Sequence, residues 1–327
     1  MGQGIADWKQ TARWYADGQG PLETQLPYIR GRWFFVDPQS GISTADGRDE
    51  SPMDNIVTAY DACKTGRGDG ICLLSSGVTT AYCTSYLTAA LDWAKWGITV
   101  FGVCAPTLYG QRARVANKST ALNLAYMIDV QGSNNAFYNM SIYNGGTTGI
   151  GGVKVTGQRN YFGNVNMMGG MGMTVPTIAD YSLRLSGGDE NTFVDCVLGN
   201  DTFDKGDLAA AELIVDGGCM RNRFIGCEFN SWRSAGTTAG MVLLNGGDAI
   251  TRHMLFKDCS FLMYRLGSAA AEAAVVIGTI PNNGFVMFKD CTAVGFVDYG
   301  KSFTNRCFSN AVTPVESACS MVLTGTA

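Results

Sequence analysis

The stretch Leu183 to Leu198, LRLSGGDENTFVDCVL, decides how this chain is read, because its pattern returns along most of the sequence. Phe137, Phe162, Phe193, Phe224, Phe256 and Phe288 stand 25, 31, 31, 32 and 32 residues apart. Self-similarity at such a period means stacked structural repeats. Two residues after each phenylalanine comes Asn139, Asn164, Asp195, Gly226, Asp258 or Asp290, all from the small set that tolerates a left-handed backbone. Next comes Met140, Val165, Cys196, Cys227, Cys259 or Cys291, and two residues later Ile142, Met167, Leu198, Phe229, Phe261 or Ala293. Phe193 and Cys196 are three apart, which in an unbroken strand sends them to opposite faces. A left-handed residue between them resets the alternation and turns both inward.

Upstream of the phenylalanines lie further short strands, Val153-Lys154-Val155, Leu183-Arg184-Leu185, Leu213-Ile214-Val215, Val242-Leu243-Leu244 and Val275-Val276-Ile277. Glycine then breaks them, at Gly157, Gly187, Gly217, Gly246 and Gly278. Each repeat reads as strand, glycine turn, strand, one-residue bend, strand and longer return loop. Three strands and about thirty residues per coil predict an all-β chain wound as a parallel β-helix. Equivalent residues then stack about 4.8 Å apart. Cys196, Cys227, Cys259 and Cys291 become an inward column that packs as small hydrophobes, and no CxxC spacing argues for a metal or redox role.

Hydrophobic residues make up 46% and charged residues 16% of the 327, compatible with one elongated domain or two compact ones. The unbroken repeat favours one. The net charge of −4 and pI near 5.1 argue against a nucleic-acid groove, which needs clustered Lys and Arg. The 11 cysteines are odd in number and scattered, so no disulfide framework is expected. No signal-peptide pattern opens the chain, which predicts folding in a reducing cytosol, and no apolar run reaches membrane-spanning length.

Residues 1–31 fall outside the repeat and form an arm, in which Ile5, Trp8 and Tyr15 fall at helical intervals. The arm serves attachment or folds back on its own body. Residues 32–110 start the β-helix, 111–310 are its body, and 311–327 a terminal cap. Ser51-Pro52 reads as the start of a short capping helix with Ile56, Val57, Tyr60 and Cys63 on its apolar face and Gly66 as its stop. Tyr86 to Trp96 fits either a helix or a strand near Leu91 to Trp93.

The succession VDPQSG (residues 36–41), SPMDNIVTAYDAC (51–63), GRGDGICLLSSG (66–77) and WGITVFG (96–102) resembles the opening of pectin-lyase-like right-handed β-helix proteins, especially those of phage and other virus particles. The resemblance covers roughly residues 32–310 and implies the right-handed fold with a capping helix. It also implies a virion protein, assembled in the host cytoplasm as a homotrimer, that decorates or stabilises a tailed-phage head or forms a fibre against the major capsid protein. A tailspike-like protein that binds and cleaves a host surface polysaccharide is the alternative.

Chemistry is sparse. The single histidine, His253, supports neither a catalytic triad nor a multi-histidine zinc site, and no metal, cofactor or catalytic residue is assigned. Asp258 and Asp290, one coil apart, stack near the roughly 5 Å spacing of a retaining glycosidase, but aspartate is favoured at a left-handed bend and Lys257 and Lys289 stand beside them. Arg67-Gly68-Asp69 spells an adhesion tripeptide that a turn before a strand explains. The third-strand outer residues Ser141, Asn166, Val197, Glu228, Ser260 and Thr292 are expected to be wet. On the first strand the outer face turns apolar at Ile214, Leu243 and Val276, so return loops or a second subunit should cover it. Trp232, Arg233 and Tyr264 are expected as loop contacts to protein or sugar.

Overall fold

Parallel strands wind around one axis, coil upon coil, in the computed structural model of the chain. The structure describes residues 29–75, 83–147, 151–170, 180–204, 211–233, 240–265, 272–300 and 306–310. Ile5, Trp8 and Tyr15 of the arm, and the cap 311–327, lie outside these residues.

The winding is right-handed, the sense that twisted parallel strands favour. The phenylalanine strands form a continuous ladder from Trp33–Val36 through Ala136–Tyr143, Tyr161–Met168, Thr192–Val194 and Asn222–Ile225 to Cys307–Ser309. The first strands of the coils make a second ladder, Leu91–Trp93, Ile128–Val130, Gly151–Val155, Tyr181–Ser186, Leu213–Asp216, Val242–Leu244 and Val276–Gly278. The third strands include Val197–Asp204, Glu228–Arg233 and Ser260–Arg265. Leu91–Trp93 settles the ambiguous segment as strand.

The phenylalanines pair in register and stack inside, with ring centroids 5.1, 4.7, 4.6, 4.9 and 5.0 Å apart from Phe137 to Phe288. The expected bend is present at every coil, with φ between 50° and 54° at Asn139, Asn164, Asp195, Asp258 and Asp290 and 62° at Gly226. It brings each cysteine inward, where Cys196, Cys227, Cys259 and Cys291 each donate an S–H to the carbonyl of the phenylalanine one coil earlier. Burial raises the Cys227 thiol well above its ordinary pKa, so the column is uncharged packing.

A second inner ladder went unread in the sequence. Asn135, Asn160, Asn191 and Asn222, each two residues before a phenylalanine, are at most 1% exposed. The Oδ1 of Asn160 accepts from the backbone N–H of Asn135, that of Asn191 from Asn160, and that of Asn222 from Asn191, each at 2.9 Å. Their Nδ2 groups donate to the carbonyls of Gly132, Gly157 and Gly188. The side chains thereby continue the backbone ladder through a turn that would otherwise bury unpaired polar groups. The turn is tight: a Cβ on Gly157 would lie 2.0 Å from the Gly132 carbonyl oxygen.

The helix spans Ile56–Ala62 and buries Ile56, Ala59 and Tyr60 against the first coils. Its N-cap is Asn55, whose Oδ1 accepts from Val57 N at 2.7 Å, and not Ser51. Ser51 N donates to Arg48 O and Met53 N to Phe35 O, which holds that stretch in backbone bridges. Lys95 closes the other end, its Nζ donating to the carbonyls of Tyr60 and Asp61, where the helix dipole favours a cation.

Two outer-face expectations are corrected. Val276 pairs with Val242 and is buried in the core, while Ile277 pairs with Leu243 and takes the outward place. Val275-Val276-Ile277 is apolar throughout, so alternation gave no phase. Ser141, Asn166 and Val197 are buried rather than wet. Gln111, itself buried, accepts from Ser141 Oγ and donates to Asn164, so the segment leading into Arg114–Asn117 lies over this part of the face. Ser260 is half-buried and Thr292 exposed farther along.

Candidate functional site

Titratable side chains gather on the outer face of the first strands. The local sequence does this with apolar-charged-apolar triplets: Leu91-Asp92-Trp93, Ile128-Asp129-Val130, Val153-Lys154-Val155 and Leu183-Arg184-Leu185. Strand alternation puts the flanking residues in the core and the central one outside. Register then stacks Asp92 on Asp129, Asp129 on Lys154, Lys154 on Arg184, and continues through Ile214 and Leu243 to Ile277. The column changes from acidic to basic to apolar along the axis.

Its charges hold one another. Asp129 is 3% exposed; it accepts from Lys154 Nζ at 2.9 Å, Thr156 Oγ1 at 3.1 Å and Gln131 Nε2 at 3.4 Å. Arg184 reaches across to the next coil, Nε donating to Asp216 Oδ2 at 2.9 Å. Asp92 remains exposed and accepts from Tyr126 OH at 2.8 Å. That hydrogen bond, with burial, pushes the Tyr126 hydroxyl up to about 12, so it stays a donor at neutral pH. Lys154 Nζ lies 5.5 Å from the centre of the Tyr126 ring, and the Arg184 guanidinium 6.0 Å from that of Tyr181. Sequence reasoning missed Asp92 because Tyr86 to Trp96 fits either a helix or a strand, and Asp129 because Ile128-Asp129-Val130 is a strand of only three residues, although both carry the triplet pattern.

Beyond Arg184 the face is apolar. Ile214 is closed over by Tyr181 and Ala211 in a small cluster of its own, with Leu243 half-buried against it. Return loops were one of the two coverings expected for this face, and residues 205–210 and 234–239 lie outside the described residues.

The other candidates separate. Trp232, Arg233 and Tyr264 are not loop residues: Glu228–Arg233 and Ser260–Arg265 pair in register, Trp232 beside Tyr264. Trp232 and Tyr264 are half-buried and Arg233 is fully buried, so Arg233 is no surface contact. The third strands simply run farther than their apolar alternation suggested. Asp258 and Asp290 sit exposed at their left-handed bends, with Lys257 Nζ 2.9 Å from Asp258. His253 stacks on Phe285, its ring 6.0 Å away. Asp69 of the Arg-Gly-Asp sequence is fully buried, accepting from the N–H groups of Arg32 and Lys64 and from Arg67 Nε. It is a fastening of the first turn. Among the described residues no group of three or more His, Cys, Asp or Glu could hold a metal ion.

The chain matches no known protein-family profile and no curated protein sequence. Solved structures do resemble it. Pectate lyase Pel9A superposes with a TM-score of 0.56 at 18% identity over 82% of this chain, which spans 64% of the lyase's length. The deglycosylated pectin methylesterase from Aspergillus niger gives 0.56 at 14% identity, covering 88% of this chain and 87% of the esterase. Pectin methylesterase PemA from Erwinia chrysanthemi gives 0.54 at 13%, covering 90% and 92%. At such identities the likeness is one of fold, the pectin-lyase-like right-handed β-helix.

Proposed function

We propose that this chain is a non-enzymatic structural protein of a virus particle, a rigid β-helix that decorates or stabilises a tailed-phage head or forms a fibre. The observation that carries the reading is the mutual neutralisation of the first-strand face. Asp129 cannot act as an acid or base without releasing its lysine, threonine and glutamine partners, and Asp216 is likewise held by Arg184. A face so arranged stiffens the stack of coils. The apolar end at Leu243 and Ile277 is the surface through which copies of the chain pack as a homotrimer, with the major capsid protein as the further partner. Quantitative mass spectrometry of purified particles tests the assignment. A copy number near that of the coat subunit supports shell decoration, a few copies per particle support a tail or fibre position, and absence from particles overturns the reading.

The alternative, cleavage of a surface polysaccharide, is favoured by one observation: Asp92 and Asp129 stand in register one coil apart on the outer face. A strand spacing of about 4.8 Å is close to the roughly 5–5.5 Å between the carboxyl groups of retaining glycosidases. New reducing ends from a capsular polysaccharide, lost in Asp92→Asn, would establish it.

A further inference from the structure

We propose that residues 1–28 fold back along the aromatic outer face of the phenylalanine strands and cover its first coils. Phe137 is a core residue, so alternation turns Ala136 and Tyr138 outward. Register sets Phe101 beside Tyr138, Cys72 beside Phe101 and Phe35 beside Cys72, and in the neighbouring outward column Trp33 beside Gly70. All of these stand on the outside of the β-helix.

Outward side chains of a sheet meet water unless another layer covers them. Cys72, Phe101 and Tyr138 are only 2%, 3% and 9% exposed. Burial pushes the Cys72 thiol and the Tyr138 hydroxyl above their ordinary pKa values. The apolar side chains packed against Phe101 and Tyr138 are Trp33, Val103 and Tyr161, which belong to strands of the same sheet and stand beside the pair, not over it. The far end of the face shows what those strands achieve alone. Leu255, Met287 and Phe308 follow one another there in register and are equally apolar. Yet Leu255 and Met287 are only half-buried, and Phe308 is 52% exposed.

The chain arrives at the buried end. A Cβ on Gly70 would lie 2.5 Å from Ile29 Cδ1 and 2.4 Å from the Trp33 ring, so Ile29 already rests on the outer face and the residues before it set out from there. From Gly70 through Thr99 and Ala136 to Tyr161 is three strand spacings, about 14 Å. A helix from Ile5 to Tyr15 would measure about 16 Å and present Ile5, Trp8 and Tyr15 along one side. The arm is the occupant that the chain itself delivers to this face; a second copy of the chain is its competitor.

Iodoacetamide labelling of the native full chain, quantified for each cysteine by peptide mass spectrometry, tests the contact. Cys72 should resist labelling in the parent and react at least tenfold faster when Ile5→Asp, Trp8→Asp and Tyr15→Asp are combined. Cys196, which faces the core, should stay unreactive in both and report intact coils. An unchanged Cys72 rate in that variant would overturn the proposal. So would protection of Cys72 that disappears when the parent is diluted, since it would make a second copy the cover. Hydrogen exchange of the parent gives a reading that needs no variant. Amides of residues 5–15 should exchange at least tenfold slower than an unfolded peptide, because so short a helix does not persist undocked, and exchange at the unfolded rate would overturn the proposal.

Discussion

The inner wall of the phenylalanine strands and the outer wall of the first strands are built on the same coils but obey different rules. Inside, one residue type repeats: six phenylalanines in register from Phe137 to Phe288, with four asparagines entering the same strands and four cysteines past the bend. Outside, Asp92, Asp129, Lys154, Arg184, Ile214, Leu243 and Ile277 change character along a single column. An inner residue has its neighbours fixed by strand spacing and must fill the same volume at every level. An outer residue need only be compatible with the one above and the one below, so charge can alternate and apolar surface can be placed at one end.

The comparison breaks first on the inside. Phe193, stacked between Phe162 and Phe224, should lose about 3–5 kcal/mol of stability on replacement by alanine, read as an earlier urea midpoint. A loss under about 1 kcal/mol would mean that the column tolerates a void and that repetition there is not dictated by packing.

The asparagine ladder comes next. Asn191→Ala removes the acceptor for Asn160 N–H and the donor to the Gly157 carbonyl, leaving buried polar groups that cost roughly 1–3 kcal/mol each. Asn222→Met, which copies Met254 at the following coil, likewise strips the acceptor from Asn191 N–H and the donor from the Gly188 carbonyl and should cost about as much as Asn191→Ala. A loss under about 1 kcal/mol for either would show that the ladder bonds are replaced when the asparagine is removed.

If the apolar end joins subunits, Leu243→Asp should convert trimer to monomer by light scattering with the coil intact by circular dichroism. A variant that remains fully assembled removes this interface from consideration.

Carboxylates sharpen the contrast at smaller amplitude. Burial pushes the Asp69 carboxyl upward, but the Arg67 side chain and the N–H groups of Arg32 and Lys64 outweigh it and leave its pKa below the ordinary value. Its contribution is therefore present above the unfolded pKa, near 3.9, and disappears as pH falls through the lower folded value. Asp69→Asn should destabilise at pH 7 and lose that penalty toward the acid end, in urea titrations across pH. Asp129→Asn, at a buried carboxylate whose Lys154 partner keeps 26% of its side chain exposed, should cost about 1–3 kcal/mol. Glu190, bridging Arg159 and Arg221 on the surface, should show the smallest effect on change to glutamine, and only at low salt.

The fold was legible because the core demands periodicity. Phenylalanine spacing and the residue two places later revealed both the stacking and the bend. The asparagines were equally visible as Asn-x-Phe in four coils, but hydrogen-bonding ladders do not register in a reading tuned to hydrophobic alternation. Val276 was misplaced because three successive apolar residues carry no phase, and Ser51 was taken for a helix cap because competing backbone bridges are non-local. The charged column is half legible, in Lys154 and Arg184; Asp92 lies in a segment whose period fits two structures, and Asp129 in a strand of only three residues, too short for alternation to mark.

The register also makes length adjustable. Each coil stacks on the last in register, so duplicating the 31 residues from Phe193 to Arg223 would lengthen the rod by one strand spacing, about 4.8 Å, without altering its cross-section. Every outer column would keep its bearing around the axis. The distance between the charged stretch and the apolar end could thus be graduated one coil at a time while each remained aimed in its original direction, which is the property required of a spacer that must hold two surfaces apart at a fixed angle.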